Sequence, residues 1–220
     1  MGKLIAVGDL YAMSTYIKLE ELRQYLDVLN KQITAMGKDY YLKMEENAKK
    51  IENPQLQKDY YENVMEELWS YTERFPRIFM NSSIIIAYSL LETQTNGVAK
   101  RMQKKFNDFP DLNKNKERGN LEAAVLKIEK LTGVKAKRFS SWNDIKDVQR
   151  LRNIIVHANG YMAVDNQKDI DLAQKYNVLD QSMIDMNGRS ISMVLITSDY
   201  CLAFLDTLDS FFADLHSQTK

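Results

Sequence analysis

The sequence has few of the residues that build disulfides, metal sites and cofactor sites. It contains one cysteine, Cys201, so no internal disulfide can form, and its two histidines cannot complete a closed zinc site unless carboxylates take part. It has no Gly-rich phosphate loop, no nucleophile elbow of the Gly-x-Ser-x-Gly type, and neither a His-Glu-x-x-His nor a Glu-x-x-His pair. We therefore expect no metal, no cofactor and a reducing, cytoplasmic setting.

Long apolar runs and an excess of one charge sign are also missing. The most apolar window, residues 78–91, is interrupted by Asn81, Ser82 and Ser83 and ends at Glu92, well short of the roughly 20 residues that a membrane span needs. Lys and Arg total 30, as do Asp and Glu, so the chain has no net charge that would attract a polyanion. These features predict a well-packed domain with no membrane partner, on which any polyanion site must be local.

Apolar residues at helical spacing fill the first third of the chain. A stripe with spacings of three and four predicts a helix of about 35 residues; it consists of Leu19, Leu22, Leu26, Leu29, Ile33, Met36 and Tyr40. Asn53 and Pro54 form an N-cap and first-turn proline for a second helix that repeats this period. The pattern predicts an antiparallel helical hairpin over residues 1–75, which Pro76 separates from a third helix.

Further helices are predicted in the rest of the chain: residues 77–106, then from Asn120 to Gly133, from Ser141 to about Gly160, and from Ser198 onwards. Asn187 and Gly188 lie between β-prone stretches, which predicts a small β-hairpin near 178–196. The predicted fold is all-α: a helical bundle over residues 76–220, a long N-terminal hairpin packed on it, and one β-hairpin insertion. We expect the two parts to form one compact unit.

One polar cluster, around the end of the predicted fifth helix, has the chemistry of a catalytic site. On an ideal helix Asn153 and His157 share a face, whereas Arg152 is turned about 100° from Asn153. A kink or a second copy of the helix could bring Arg152 and His157 together. The helix dipole favours protonated His157, and an Arg side chain can contact a phosphate at two points.

The segment Arg152-Asn153-Ile154-Ile155-Val156-His157, followed by Ala-Asn-Gly, resembles the Arg-x4-6-His signature of the HEPN superfamily. The helix that ends in Ser89-Leu90-Leu91-Glu92 is similar to the acidic helix that pairs with the motif helix in many members. The resemblance covers about residues 77–217 and leaves the first 75 residues unexplained.

The resemblance implies an all-α bundle that forms a homodimer through its motif helices and, in active members, a metal-independent endoribonuclease. His157 would then be the general acid/base, Arg152 would stabilise the phosphorane, and Asn153 would orient His157 or the phosphate. Glu92 would at most hold Arg152 in place. The usual context of the superfamily implies a toxin or phage-defence role, in which an antitoxin or another protein is a possible partner.

The charge distribution along the chain favours RNA as a partner. Residues 97–138 contain 12 basic and 5 acidic residues, a net charge of +7, while the segments on either side are acidic. This local excess could hold a phosphate backbone, and the same residues could equally be a solvated Lys-rich surface. The candidate RNA-binding residues are Lys100, Arg101, Lys104, Lys105 and Arg150.

Two other functions are compatible with the sequence. A non-catalytic module that binds protein or RNA could dock partners on the N-terminal hairpin; a charge at Leu26 or Leu29 would then abolish function, and His157→Ala would not. The Arg/His cluster could also bind or modify a nucleotide, in which case mononucleotides would bind without RNA turnover.

Overall fold

The structure, a computed structural model, describes residues 10–106, 120–180, 183–184, 188 and 190–219. The described part is mainly α-helical with one small sheet, which confirms the predicted all-α bundle with a β-hairpin. Its helices and strands, in chain order, are α1 (Leu10–Lys49), α2 (Pro54–Trp69), α3 (Phe75–Lys105), α4 (Asn120–Thr132), α5 (Trp142–Ala158), β1 (Tyr161–Ala163), α6 (Gln167–Lys175), β2 (Met183–Ile184), β3 (Ser190–Met193) and α7 (Ser198–Gln218).

The turn between α1 and α2 forms as the sequence predicts. The side-chain Oδ1 of Asn53 accepts hydrogen bonds from the backbone N–H groups of Gln55, at 2.9 Å, and Leu56, at 3.3 Å. Pro54 occupies the first turn of α2, where a missing N–H leaves no hydrogen bond unmade. The cap thus fixes the point at which the chain reverses.

Pro76 does not separate α2 from α3, contrary to the prediction. α2 continues through a π-helical turn, Ser70–Arg74, directly into α3. The N–H of Phe75 donates to the carbonyl of Ser70 across this wider turn, and Pro76 lies in the first turn of α3. The π turn changes the bonding pattern just before the proline, so the missing N–H of Pro76 does not end the helical run. The division into parts at residues 75 and 76 remains a prediction.

The sheet is larger than the predicted hairpin. β2 and β3 pair antiparallel, with Met183 opposite Ile191, and β1 pairs with the other side of β3, with Tyr161 opposite Met193. The sequence interpretation missed β1 and α6. Gly188 has φ +76°, as a tight turn requires, while Asn187 is outside the described residues.

The core lies between α3, α4, α5, α7 and the first half of α1. Its most deeply buried side chains include Leu19, Leu26, Ile84, Tyr88, Leu91, Leu121, Ile128, Ile145, Leu151, Leu205, Leu208 and Phe211. α1 runs antiparallel to α3, because Tyr11 contacts Gln94 near one end of the pair and Tyr25 contacts Phe79 near the other. The motif helix α5 packs against the middle of α3, where Arg152 of α5 lies beside Tyr88.

Candidate functional site

The apolar face of α5 fixes the orientation of the motif. Leu151 and Ile155 are buried in the core, so the residues between and after them point to the side and to solvent. The helix ends where the sequence predicts: Asn159 is left-handed, with φ 51°, and the N–H of Gly160 donates to the carbonyl of Ile154 at 3.1 Å. This C-terminal cap holds the last turn, which carries His157, at the protein surface.

Arg152 is half-buried between α5 and α3. Its Nη1 donates to Oδ1 of Asn153 at 3.0 Å, and its guanidinium carbon lies 5.9 Å from the centre of the Tyr88 ring. Its buried Nε has no hydrogen-bond partner among the residues that the structure describes. The guanidinium is therefore held on two sides, and no carboxylate of the described residues pairs with it.

Glu92 lies one helical turn after Tyr88 on α3 and interacts with Arg152 electrostatically. Partial burial raises the pKa of the Glu92 carboxyl above its ordinary value, and the positive charge of Arg152 opposes that shift. The two side chains form no ion pair within the described part of the chain. Glu92 thus contributes a negative charge near Arg152 without occupying its hydrogen-bond donors.

His157 is exposed and stands apart from the other motif residues. No hydrogen bond or ion pair joins it to Arg152 or Asn153 in the described structure. One chain therefore brings together Arg152, Asn153 and Glu92 and does not add His157 to them. The helical spacing of the sequence predicts this separation.

The candidate RNA-binding residues fall into two groups. Lys100, Lys104 and Lys105 are exposed on the last turns of α3, at least about 12 Å along the helix from Glu92. Arg101 lies 5.1 Å from the Tyr11 ring, and Arg150 forms an ion pair with Asp169 of α6. The three lysines therefore face solvent, whereas both arginines have partners within the chain.

Tyr88 is the member of this site that the sequence interpretation missed. In the sequence it is one aromatic residue in a nearly continuous apolar helix, and its spacing of four from Glu92 is the only signal that relates it to the motif. Its hydroxyl is buried without a hydrogen-bond partner among the described residues. Burial, and then the negative charge of Glu92, raise the pKa of Tyr88, so the phenol stays neutral beneath Arg152.

Comparison with known protein families, with curated proteins and with solved structures finds no match for this chain. In the described ranges, no three His, Cys, Asp or Glu side chains are grouped closely enough to hold a metal ion. The same ranges contain no helix that is both long and apolar enough to cross a bilayer.

Proposed function

We propose that the protein is a metal-independent endoribonuclease of the HEPN type that acts as a homodimer. The observation that supports this best is the state of Arg152: its guanidinium is oriented by Asn153 and Tyr88, has no ion-pair partner among the described residues, and lies on the same helix as the exposed His157. A phosphate group is the ligand that an oriented, unpaired guanidinium fits best.

The proposed reaction is an internal transfer within RNA. His157 removes the proton of a ribose 2′-hydroxyl, the 2′-oxygen bonds to the adjacent phosphorus, and the bond from phosphorus to the 5′-oxygen breaks. A protonated imidazole gives the proton to the leaving 5′-oxygen, so the products carry a 2′,3′-cyclic phosphate and a 5′-hydroxyl. Arg152 stabilises the additional negative charge of the phosphorane.

The need for a second copy follows from the separation of Arg152 and His157. Because one chain does not bring these two side chains into contact, we propose that the motif helices of two chains meet and complete each site. Asn153 then orients the phosphate or His157, and Glu92 and Tyr88 keep Arg152 in place. The exposed Lys100, Lys104 and Lys105 bind the phosphate backbone beyond the cleavage point.

The superfamily that the motif resembles occurs mostly in toxin and phage-defence systems. We therefore include in the proposal a role as a toxin or in phage defence, with an antitoxin or another protein as the restraining partner. The non-catalytic alternative keeps the same RNA or protein contacts without turnover.

The test is cleavage of end-labelled RNA in EDTA by the wild type, Arg152→Ala and His157→Ala. We expect cleavage by the wild type and a loss of at least about 100-fold in each variant, as for removal of an acid/base group or a charge-stabilising group. Asn143→Ala changes an exposed residue in the first turn of the same helix α5 and is the control, which should cleave as the wild type does. Full cleavage by either Arg152→Ala or His157→Ala, with thermal unfolding unchanged, would overturn the proposal.

A further inference from the structure

A shallow groove runs along the exposed face of α2. Two depressions meet at Met65: one extends from Pro54 past Tyr61, and the other extends past Trp69 to Glu73. We call this surface the α2 groove. Its apolar floor consists of Pro54, Tyr61, Met65, Leu68 and Trp69.

The apolar floor is unusually exposed and continues beyond α2. Met65 and Trp69, four residues apart, keep 51% and 42% of their surface exposed. Across the π turn, the Arg74 guanidinium lies 4.9 Å from the Trp69 ring, so the two residues share a face, and Ile78, four residues further, is 54% exposed. A contiguous apolar stripe on a helix surface marks an interaction site, and methionine adapts its shape to a partner.

The edges of the groove are acidic. The charged residues that line the two depressions are Glu62, Glu66, Glu73 and Lys58, a net charge of −2, and the Arg74 guanidinium beside Trp69 is a further positive charge that contacts the floor. Lys58 pairs with Glu62 at 3.7 Å, whereas Glu66 and Glu73 form no ion pair in the described part of the chain. The groove therefore presents two unpaired carboxylates, those of Glu66 and Glu73, next to the exposed Met65 and Trp69 side chains.

The negative charge of the α2 groove favours some classes of binding partner over others. A second copy of the chain would place one negatively charged groove on another, which is electrostatically unfavourable. RNA and an anionic membrane carry the same sign as the groove and would be repelled. A protein segment that combines positive charge with an apolar face satisfies both the floor and the edges.

We infer that the α2 groove binds a basic amphipathic helix of a partner protein. Apolar side chains at positions i, i+3 or i+4 and i+7 of that helix pack on Tyr61, Met65 and Trp69, and its Lys or Arg side chains pair with Glu66 and Glu73. From residue 54 to residue 73 the groove is about 29 Å long, the length of a helix of about 19 residues.

The test uses two synthetic helical peptides of about 18 residues, labelled with fluorescein, with Leu at the spacing of one helical face and either Lys or Glu elsewhere. Fluorescence anisotropy of the full chain with each peptide gives the two Kd values. We expect the Lys peptide to bind at least about tenfold more tightly than the Glu peptide. The double variant E66K/E73K should raise the Kd of the Lys peptide by at least about tenfold. The matched variant E21K/D39K, on exposed residues of α1, should change that Kd by less than about twofold.

Equal binding of the two peptides, or Lys-peptide binding that E66K/E73K leaves unchanged, would overturn the inference. Sedimentation equilibrium provides a second test of the inference. If the wild type is a dimer and Met65→Glu dissociates it, the groove binds a second copy of the chain and the inference is wrong. All of these substitutions are on exposed side chains, so loss of folding does not confound them.

Discussion

The helical bundle and the distal half of the N-terminal hairpin are both built from paired helices, and different forces hold them. We define the distal hairpin as residues 27–49 of α1 with α2. In the bundle, Leu151, Leu205 and Leu208 are fully buried, whereas α2 has no buried residue at all. Residues 27–49 of α1 bury only Gly37, Met44 and Ala48. The bundle therefore gains much more stability from removal of apolar surface from water than the distal hairpin does.

Polar and aromatic contacts hold the distal hairpin together. The Tyr40 hydroxyl donates to Glu67 at 2.7 Å, its ring stacks on Tyr71 at 5.0 Å, and the Tyr61 hydroxyl donates to Glu45 at 3.1 Å. Burial and the Glu67 carboxylate raise the pKa of Tyr40 to about 12. Each exposed contact contributes about 1 kcal/mol or less, so the distal hairpin should open locally at a lower free energy than the bundle.

The largest expected contrast comes from truncating one leucine in each region. Leu151→Ala removes a fully buried side chain of α5 and should lower the free energy of unfolding by about 2–5 kcal/mol. Leu56→Ala, at a residue of α2 that is 58% exposed, should change it by no more than about 0.5 kcal/mol. Urea denaturation measures both, and equal losses would remove the distinction between the regions.

The substitution Gly97→Ala tests the contact between α1 and α3. A Cβ at this position would lie 1.4 Å from the Tyr11 hydroxyl, so Gly97→Ala forces Tyr11 away from the Gln94 carbonyl and from Arg101. We expect a loss of about 1–3 kcal/mol in the free energy of unfolding.

The Tyr11→Ala background is the control for this prediction. Without the phenol, Gly97→Ala should gain about 0.5–1 kcal/mol, because alanine is the better helix former. A loss of the same size in both backgrounds would contradict the proposed clash.

Removing the N-terminal cap of α2 tests whether the distal hairpin unfolds separately from the bundle. Asn53→Ala removes two hydrogen bonds to the first turn and should cost about 1 kcal/mol. Hydrogen exchange should show the loss at the amides of α2 and not at those of α3 or α5, and Asn53→Asp should restore protection. Equal loss of protection in α2 and α5 would mean that the two regions unfold as one unit.

The smallest effect is a pH dependence of opposite sign in the two regions. In the folded bundle the pKa of Glu92 is raised above 4.5, so its contribution to stability is full below that pH and is lost as the pH rises through the folded value. In the distal hairpin the hydrogen bond from Lys50 lowers the pKa of Glu46, so its contribution is present above 4.5 and is lost as the pH falls through the folded value.

Stability measured from about pH 3 to pH 7 for the wild type, Glu92→Gln and Glu46→Gln checks these signs. Relative to the wild type, Glu92→Gln should become more stable as the pH rises and Glu46→Gln less stable. Differences of the same sign for both variants would contradict the assignment.

The sequence predicts the helices well because burial and capping are local signals. The Asn53 cap, the end of α5 at Gly160 and the pairing of β2 with β3 all follow from residue type and spacing. The helix continues through Pro76 because of a π turn, and no sequence pattern predicts that turn. β1 has only three residues, too few to show the alternating pattern of a strand.

For the candidate site, too, the sequence predicts the local features and misses the tertiary contacts. Helical spacing placed Asn153 and His157 on α5 and predicted that Arg152 would stand apart from His157. The contact of Arg152 with Tyr88 is tertiary and could not be read from the sequence. Leu26 is 2% exposed in the bundle core, so a charge there would disturb folding instead of docking, and the exposed docking surface lies on α2.

The central claim is tested most directly by the chemical ends of RNA cut by the wild type in EDTA. Mass spectrometry should find a 2′,3′-cyclic phosphate on the upstream fragment and a 5′-hydroxyl on the downstream one, and a 2′-deoxy nucleotide at the cleavage point should block the reaction. Absence of cleavage, 5′-phosphate ends, or cleavage at the 2′-deoxy position would contradict a role for Arg152 and His157 in 2′-hydroxyl attack.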